Sequence, residues 1–372
     1  MRPFLHGDPM TDGPAIERFR FTGTWQEYFG IWIVNLFLTV VTLGIYSAWA
    51  KVRRKRYFYG NTWLQESNFD YHGDPVAILK GRLIAFTAFI AYTVGAQFSP
   101  KAASVVLLVL LPALPWMILR SYAFNAVNSS YRNLRFHFSG RYGDVLLAIA
   151  PFAVVPLGGL LLPEVDPANP PKKMADVYWM FLPTVLLALV YPYIVARLKL
   201  IHVNGTRYGT ASFHCRASVA RFYGVYFLAL LIVVAIGAAI WVAMPLLWKM
   251  GPSLLFAIPV AYVLAGAILF GFTQSRVANL VFNTTRLQDR AEFESSLSAA
   301  RLARIYAVNL FAILLTFGFM IPWAAIRVAR YRAECLALEC EGGLEAFVAD
   351  VSRDVPATGE EMGEMFDMDL SL

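Results

Sequence analysis

The chain has 372 residues, 58% of them hydrophobic and only 15% charged, with a mean hydropathy of +0.54. A soluble domain carries roughly 25% charged residues, so composition excludes a water-soluble fold. The formal charge of +7 would suit nucleic acid, but the bases stand at the ends of apolar runs beside Trp and Tyr, as at a membrane interface, and no nucleic-acid partner is expected.

Residues 1–18 hold Pro3, Asp8, Pro9, Asp12 and Pro14 without an apolar core, which reads as a disordered N-terminus and not a cleaved signal peptide. "FRFTG" at Phe19 precedes the first of eight runs free of Asp, Glu, Lys, Arg and His. The runs are Tyr28–Ala50, Leu83–Phe98, Ala102–Leu119, Val145–Leu162, Val177–Ala196, Phe222–Trp248, Ser253–Thr273 and Ile305–Ile326. A helix of about 20 apolar residues crosses a bilayer, so an all-α polytopic membrane protein of about eight segments is predicted. The first and last runs, 23 and 22 residues long, favour simple spans, with the N-terminus and the C-terminal tail outside.

The loops after the first, third, fifth and seventh runs (51–82, 120–144, 197–221 and 276–304) carry 21 Lys and Arg. The opposite loops carry four: Lys101, Lys172, Lys173 and Lys249. Bases concentrate in cytoplasmic loops, so the large loops are expected in the cytoplasm, facing anionic lipid headgroups as partners. The sign then reverses: Glu334 to Asp369 contain eleven acids and the single base Arg353. A repeat-built domain over 19–347 is expected, followed by an acidic disordered tail over 348–372.

Five helix exits share one pattern: an aromatic, then an arginine four residues on. The pairs are Trp49 and Arg53, Trp116 and Arg120, Tyr193 and Arg197, Phe272 and Arg276, and Trp323 and Arg327. Spacing of four puts both side chains on one helix face, which suits an interfacial ring and a snorkelling cation. A small polar cluster follows, "NT" at 61, "NSS" at 128, "NGT" at 204 and "NTT" at 283. Then come "FDYHG" at 69, "FHFSG" at 136, "FHC" at 213 and "FES" at 293. Aromatics alternating before Gly read as a short strand and turn, so small cytoplasmic β-hairpin elements are expected between helices. The first and eighth runs match most closely, with Asn35, Gly44, Trp49 and Arg53 aligning on Asn309, Gly318, Trp323 and Arg327 without a gap. The "FRFTG" before run one conflicts with simple spans, because its likenesses all fall on the cytoplasmic side.

The three Asn-x-Ser/Thr triplets recur at one place in the repeat and read as helix-end polar clusters, not glycosylation sites. His72, His137 and His214 lie near the strand elements, but His72 is out of register, so solvated histidines are favoured over a metal site. Cys215, Cys335 and Cys340 have neither disulfide nor zinc spacing. No phosphate loop, nucleophile elbow or paired carboxylate appears, so neither enzyme activity nor a cofactor is expected. Asn35 and Asn309 are the notable intramembrane amides, and Gly44 and Gly318 are candidate hinges that would break these helices.

"FRFTGTWQEYF", "LTVVTLGIYSAWAKVRRKRYFYGNTWL" and "FDYHGDP" together resemble the YjgN-like family of bacterial inner-membrane proteins, most closely over residues 19–82. The chain departs from the family's usual Pro at Ala48, whereas the later copy keeps Pro322. The resemblance implies a multi-pass bacterial inner-membrane protein of unestablished role, without catalytic residues to carry over. Two functions fit: a transporter or channel-like protein for a small or amphipathic solute, or a non-transporting scaffold that binds anionic lipid.

Overall fold

The computed structural model describes residues 15–161, 174–249, 251 and 254–353. Most of the expected N-terminal segment and the tail beyond Arg353 lie outside the described residues.

Strands alternate with helical excursions. β1 (Ala15–Phe21) leads into α1 (Trp25–Val41) and α2 (Ser47–Gly60), which returns to β2 (Thr62–Leu64). A tight turn gives β3 (Ser67–Tyr71), then α3 (Pro75–Phe98), α4 (Pro100–Leu110), α5 (Ala113–Val127) and β4 (Ser129–Tyr131). Next come β5 (Leu134–Phe138), α6 (Tyr142–Ile149), α7 (Val154–Leu161), α8 (Met174–Gly205) and β6 (Thr206–Tyr208). The fourth excursion is β7 (Ala211–Cys215), α9 (Val219–Trp248), α10 (Leu254–Phe282) and β8 (Thr285–Leu287). The fifth is β9 (Ala291–Ser295), α11 (Ala299–Leu315), α12 (Ile321–Glu334) and β10 (Leu336–Cys340). α13 (Leu344–Arg353) follows, crossing the expected start of the acidic tail at 348.

Each strand pairs antiparallel with its neighbours in chain order, and β1 also pairs with β10, with Ala15 opposite Cys340. The ten strands form one closed barrel, which overturns the all-α expectation. An isolated hairpin is marginal in water and exposes two edges; joining the short strands in a ring leaves no edge. Gly23, Gly73 and Gly140 explain the glycine of the aromatic motif. A Cβ there would stand 2.8 Å from the Phe21 ring, 2.5 Å from Tyr71 and 2.9 Å from the Phe138 ring, so each aromatic folds over its glycine. Thr24, Asp74 and Ser298 then cap the helices that follow, accepting from backbone amides of the first turn.

The first and last runs do not span. Leu43 and Phe317 take φ of +50°, followed by Gly44 at +93° and Gly318 at +95°. The Gly44 amide donates to the Thr39 carbonyl, and that of Gly318 to the Ile313 carbonyl, both at 2.8 Å. The Thr42 and Thr316 hydroxyls each donate to a carbonyl four residues back at 2.7 Å, and accept from the Tyr46 and Met320 amides. These matched turns cut each run into two short helices that pack on each other and return to the barrel. Leu43 and Phe317, both 94% exposed, mark the two tips.

Five helical segments have the length and apolarity to cross a membrane, and a sixth forms if α4 and α5, bent by 49°, count as one span. Five or six segments therefore replace the expected eight. Every excursion leaves from and returns to the barrel, so all ten strands lie on one side of the bilayer. The helices pack in chain order around a circle: α2 on α3, α5 on α6, α8 on α9, α10 on α11 and α12 on α1. Between 6% and 22% of the residues in each span are buried, too few for a multilayer bundle. The transmembrane part is a ring one helix thick.

Candidate functional site

The barrel interior is built from strand alternation. In β1, Phe19 and Phe21 are buried while Arg18 and Arg20 are exposed, the split that a period of two imposes. Register sets Phe19 opposite Leu64, Phe69 opposite Tyr131, Phe136 opposite Tyr208, Phe213 opposite Leu287 and Phe293 opposite Leu338. Odd strands supply a phenylalanine and even strands a leucine or tyrosine. The even-strand members are 3–4% exposed, whereas Phe69, Phe136, Phe213 and Phe293 are only half-buried. Neighbouring rings touch: the centroids of Phe19 and Phe69 lie 6.1 Å apart, Phe69 and Tyr131 4.7 Å, Phe136 and Phe213 6.4 Å, and Phe213 and Phe293 6.1 Å. Ten side chains thus form an apolar layer around the barrel wall.

Its polar atoms are satisfied. The Tyr131 hydroxyl donates to the Leu64 carbonyl at 2.8 Å, and the Tyr208 hydroxyl to the Tyr131 carbonyl at 3.0 Å. Burial holds both phenols above their ordinary pKa. Toward the hairpin turns, Gln65 donates to Glu17 at 2.8 Å and accepts from Arg132 at 2.8 Å. The Arg132 guanidinium also lies 5.7 Å from the Tyr131 ring centroid.

α13 closes the hairpin-turn end. Leu344, Phe347, Val348 and Val351 are buried in the same core cluster as Tyr131, Tyr208, Ala211, Ala291 and Cys340. Small residues make room: Ala211 and Ala291 are fully buried, and a Cβ on Gly209 would stand 2.7 Å from Val351.

The predicted interfacial residues form a separate belt on the returning helices. Arg120, Arg276 and Arg327 stack over the aromatic one turn back, 5.8 Å from Trp116, 5.8 Å from Phe272 and 4.6 Å from Trp323. Arg53 instead reaches the Tyr46 hydroxyl at 3.5 Å, and Tyr46 stacks on Trp49. Arg197 makes no such stack with Tyr193, and its Nε is buried without a hydrogen-bond partner. Asn35 and Asn309 are both buried. Asn309 donates to the Ala324 carbonyl and accepts from Arg327, both at 3.2 Å, whereas Asn35 Oδ1 has no partner. His72 bonds Ser130 and His214 bonds Ser212, while His137 faces Arg207 across the strand pair. Among the described residues no three metal-ligating side chains converge.

The leucines and tyrosines of the even strands and the α13 face are the residues that sequence reasoning missed. The signal for them was faint, since three-residue strands are too short to show alternation. Leu64, Tyr131, Tyr208 and Leu287 do each stand 11 residues after the arginine of a helix exit.

The profile of a family described as bacterial protein of unknown function (DUF898) matches residues 16–365. The chain belongs to this family. Inner membrane protein YjgN of Salmonella typhimurium (strain LT2) is 25% identical over 345 residues, 84% of this chain and 86% of that one. Inner membrane protein YjgN of Escherichia coli (strain K12) is 36% identical over 123 residues, so its match spans only 32% of this chain and 31% of its own. The resemblance first read from the opening stretch therefore extends over most of the chain. No solved structure matches it. The relatives' names and the apolar helices together support a membrane protein of the bacterial inner membrane.

Proposed function

We propose that the chain carries a small apolar or amphipathic solute between the bilayer and the water on the barrel side, with the ten-residue layer as gate and α13 as stopper. One observation carries this reading: the helix ring closes on itself, yet its spans are largely uncovered and apolar around their whole circumference. A water-filled pore asks for polar or charged lining, and ionisable residues inside a membrane mark ion paths. The apolar runs within the spans hold no ionisable residue, which favours a greasy solute over an ion. On the same reading the five excursions are copies of one module, and the barrel is cytoplasmic. The excess of Lys and Arg in the loops between returning and departing helices supports that side.

A second reading, a non-transporting scaffold on anionic lipid, draws on the packed layer and the stacked arginines. Transfer of a fluorescent lysophospholipid from proteoliposomes to albumin in the surrounding water separates the two. The full chain is expected to speed transfer, and Phe136→Ala with Phe213→Ala, which widens the layer, to speed it further. Rates equal to protein-free liposomes for both proteins would leave the scaffold.

A further inference from the structure

A groove of about 650 Å³ opens at membrane depth between α9, α10 and α11. α10 and α11 touch backbone to backbone beside it, since a Cβ on Gly271 would stand 2.5 Å from the Ala303 amide nitrogen. This close crossing leaves a slot walled by Ala267, Ala303 and Ala307, with Ile232 and Phe311 at its deeper end. Arg304 is the single charged residue on its wall. Phe272 forms part of the other wall and carries Arg276 stacked on its ring. Among the described residues, neither arginine has an acidic partner. No carboxylate lines the groove.

Both cations sit toward the barrel end of their helices, and the apolar slot runs from them into the bilayer. That order, charge at the water boundary and a narrow apolar channel below it, matches an anionic phospholipid held by headgroup and chain together. We propose that this groove binds one such lipid, with an acyl chain against the alanines and the phosphate on Arg304 and Arg276. The site shares Phe272 and Arg276 with the belt of aromatic and arginine pairs and adds Arg304, which belongs to no such pair. It does not depend on whether the barrel conducts.

The full chain in nanodiscs of phosphatidylglycerol and phosphatidylcholine, analysed by native mass spectrometry of the retained lipid, tests this directly. One phosphatidylglycerol is expected to survive ejection in preference to phosphatidylcholine. Arg304→Gln removes the charge, and Ala307→Phe or the more exposed Ala300→Phe fills the slot without touching it. Each is expected to lower retention about tenfold, while Arg18→Gln on the outer barrel wall leaves it unchanged. Retention that survives both filled-slot variants would mean headgroup contact alone and overturn the site. Equal retention of both lipids, or indifference to Arg304→Gln, would overturn it as well. Solute transfer plays no part in this readout, so it stands or falls apart from the transport reading.

Discussion

Arg290 and Asp350 fasten the last described helix to the barrel. The Arg290 guanidinium donates to the Asp350 carboxylate at 3.1 Å and lies 5.7 Å from the ring centroid of Phe347. Burial of Phe347 is complete, whereas the ion pair is 39% and 50% exposed. The apolar contact should therefore dominate. Phe347→Ala is expected to cost ~3–5 kcal/mol of docking, and Asp350→Asn at most ~1 kcal/mol. Hydrogen exchange over 344–353 reads the difference. Lower protection in Asp350→Asn than in Phe347→Ala would show that the ion pair, not the ring, holds α13.

Gly209, on the neighbouring β6–β7 turn, meets α13 with φ of +56°. Gly209→Ala adds backbone strain of ~1 kcal/mol or more as well as the clash with Val351. Pairing it with Val351→Ala should recover the clash but not the strain. A thermal-stability cycle in detergent checks this, and a fully additive cycle would mean the two residues do not meet.

The two matched amides should respond differently. Asn309→Leu leaves a donor of Arg327 unpaired and removes the side-chain bond to the Ala324 carbonyl, a loss of ~1–3 kcal/mol. Asn35→Leu removes an oxygen that already lacks a donor and should be near neutral. Denaturation midpoints decide it; equal losses would imply that Asn35 has a partner of the same worth.

Lys55, on the barrel-side half of α2 and outside the spans, donates to Asn125 and lies 4.5 Å from the Tyr71 ring centroid. Burial first, and Lys51 second, lower its pKa to about 8. The charged form is thus penalised in the fold, and between about 8 and the ordinary lysine value of 10.5 the unfolded chain binds more protons. The Lys55 contribution to stability should rise with pH across that window and be least favourable below it. The stability difference between the wild type and Lys55→Met, followed by thermal melts from pH 7 to 10, should shift toward the wild type as pH rises. A flat difference would show that Lys55 stays solvated.

The closed barrel demands that early and late parts of the chain share one compartment. In a cysteine-free background, Glu66→Cys on the β2–β3 turn and Ser352→Cys on α13 should behave alike toward a membrane-impermeant thiol reagent. On the cytoplasmic reading, both resist labelling until cells are permeabilised. Labelling of only one in intact cells would break the topology.

The apolar runs, the short aromatic strands and the Thr-x-Gly breaks were all visible as residues. Gly44 and Gly318 read as hinges in the sequence, although run length favours spans. Length misled because two short apolar helices and one long one have the same composition; only the left-handed turn at Leu43 and Gly44 separates them. Barrel closure was harder to read. Tyr71 pairs with Ser129 across 58 residues and Ala15 with Cys340 across 325, and no local pattern names so distant a partner. The conflict over "FRFTG" was a true sign of the fold, since β1 belongs beside the other strands.

The seam between β1 and β10 has a consequence for synthesis. β1 leaves the ribosome among the first strands, yet one of its partners lies more than three hundred residues downstream. Until Cys340 has emerged, β1 and β9 each present a bare edge to the surrounding water, the condition that invites pairing with a neighbouring chain. Assembly of the barrel is therefore a late event, made after the hydrophobic excursions have entered the bilayer. A ribosome that stalls before residue 336 releases an inserted but unsealed protein, and quality control has an exposed sheet edge to recognise.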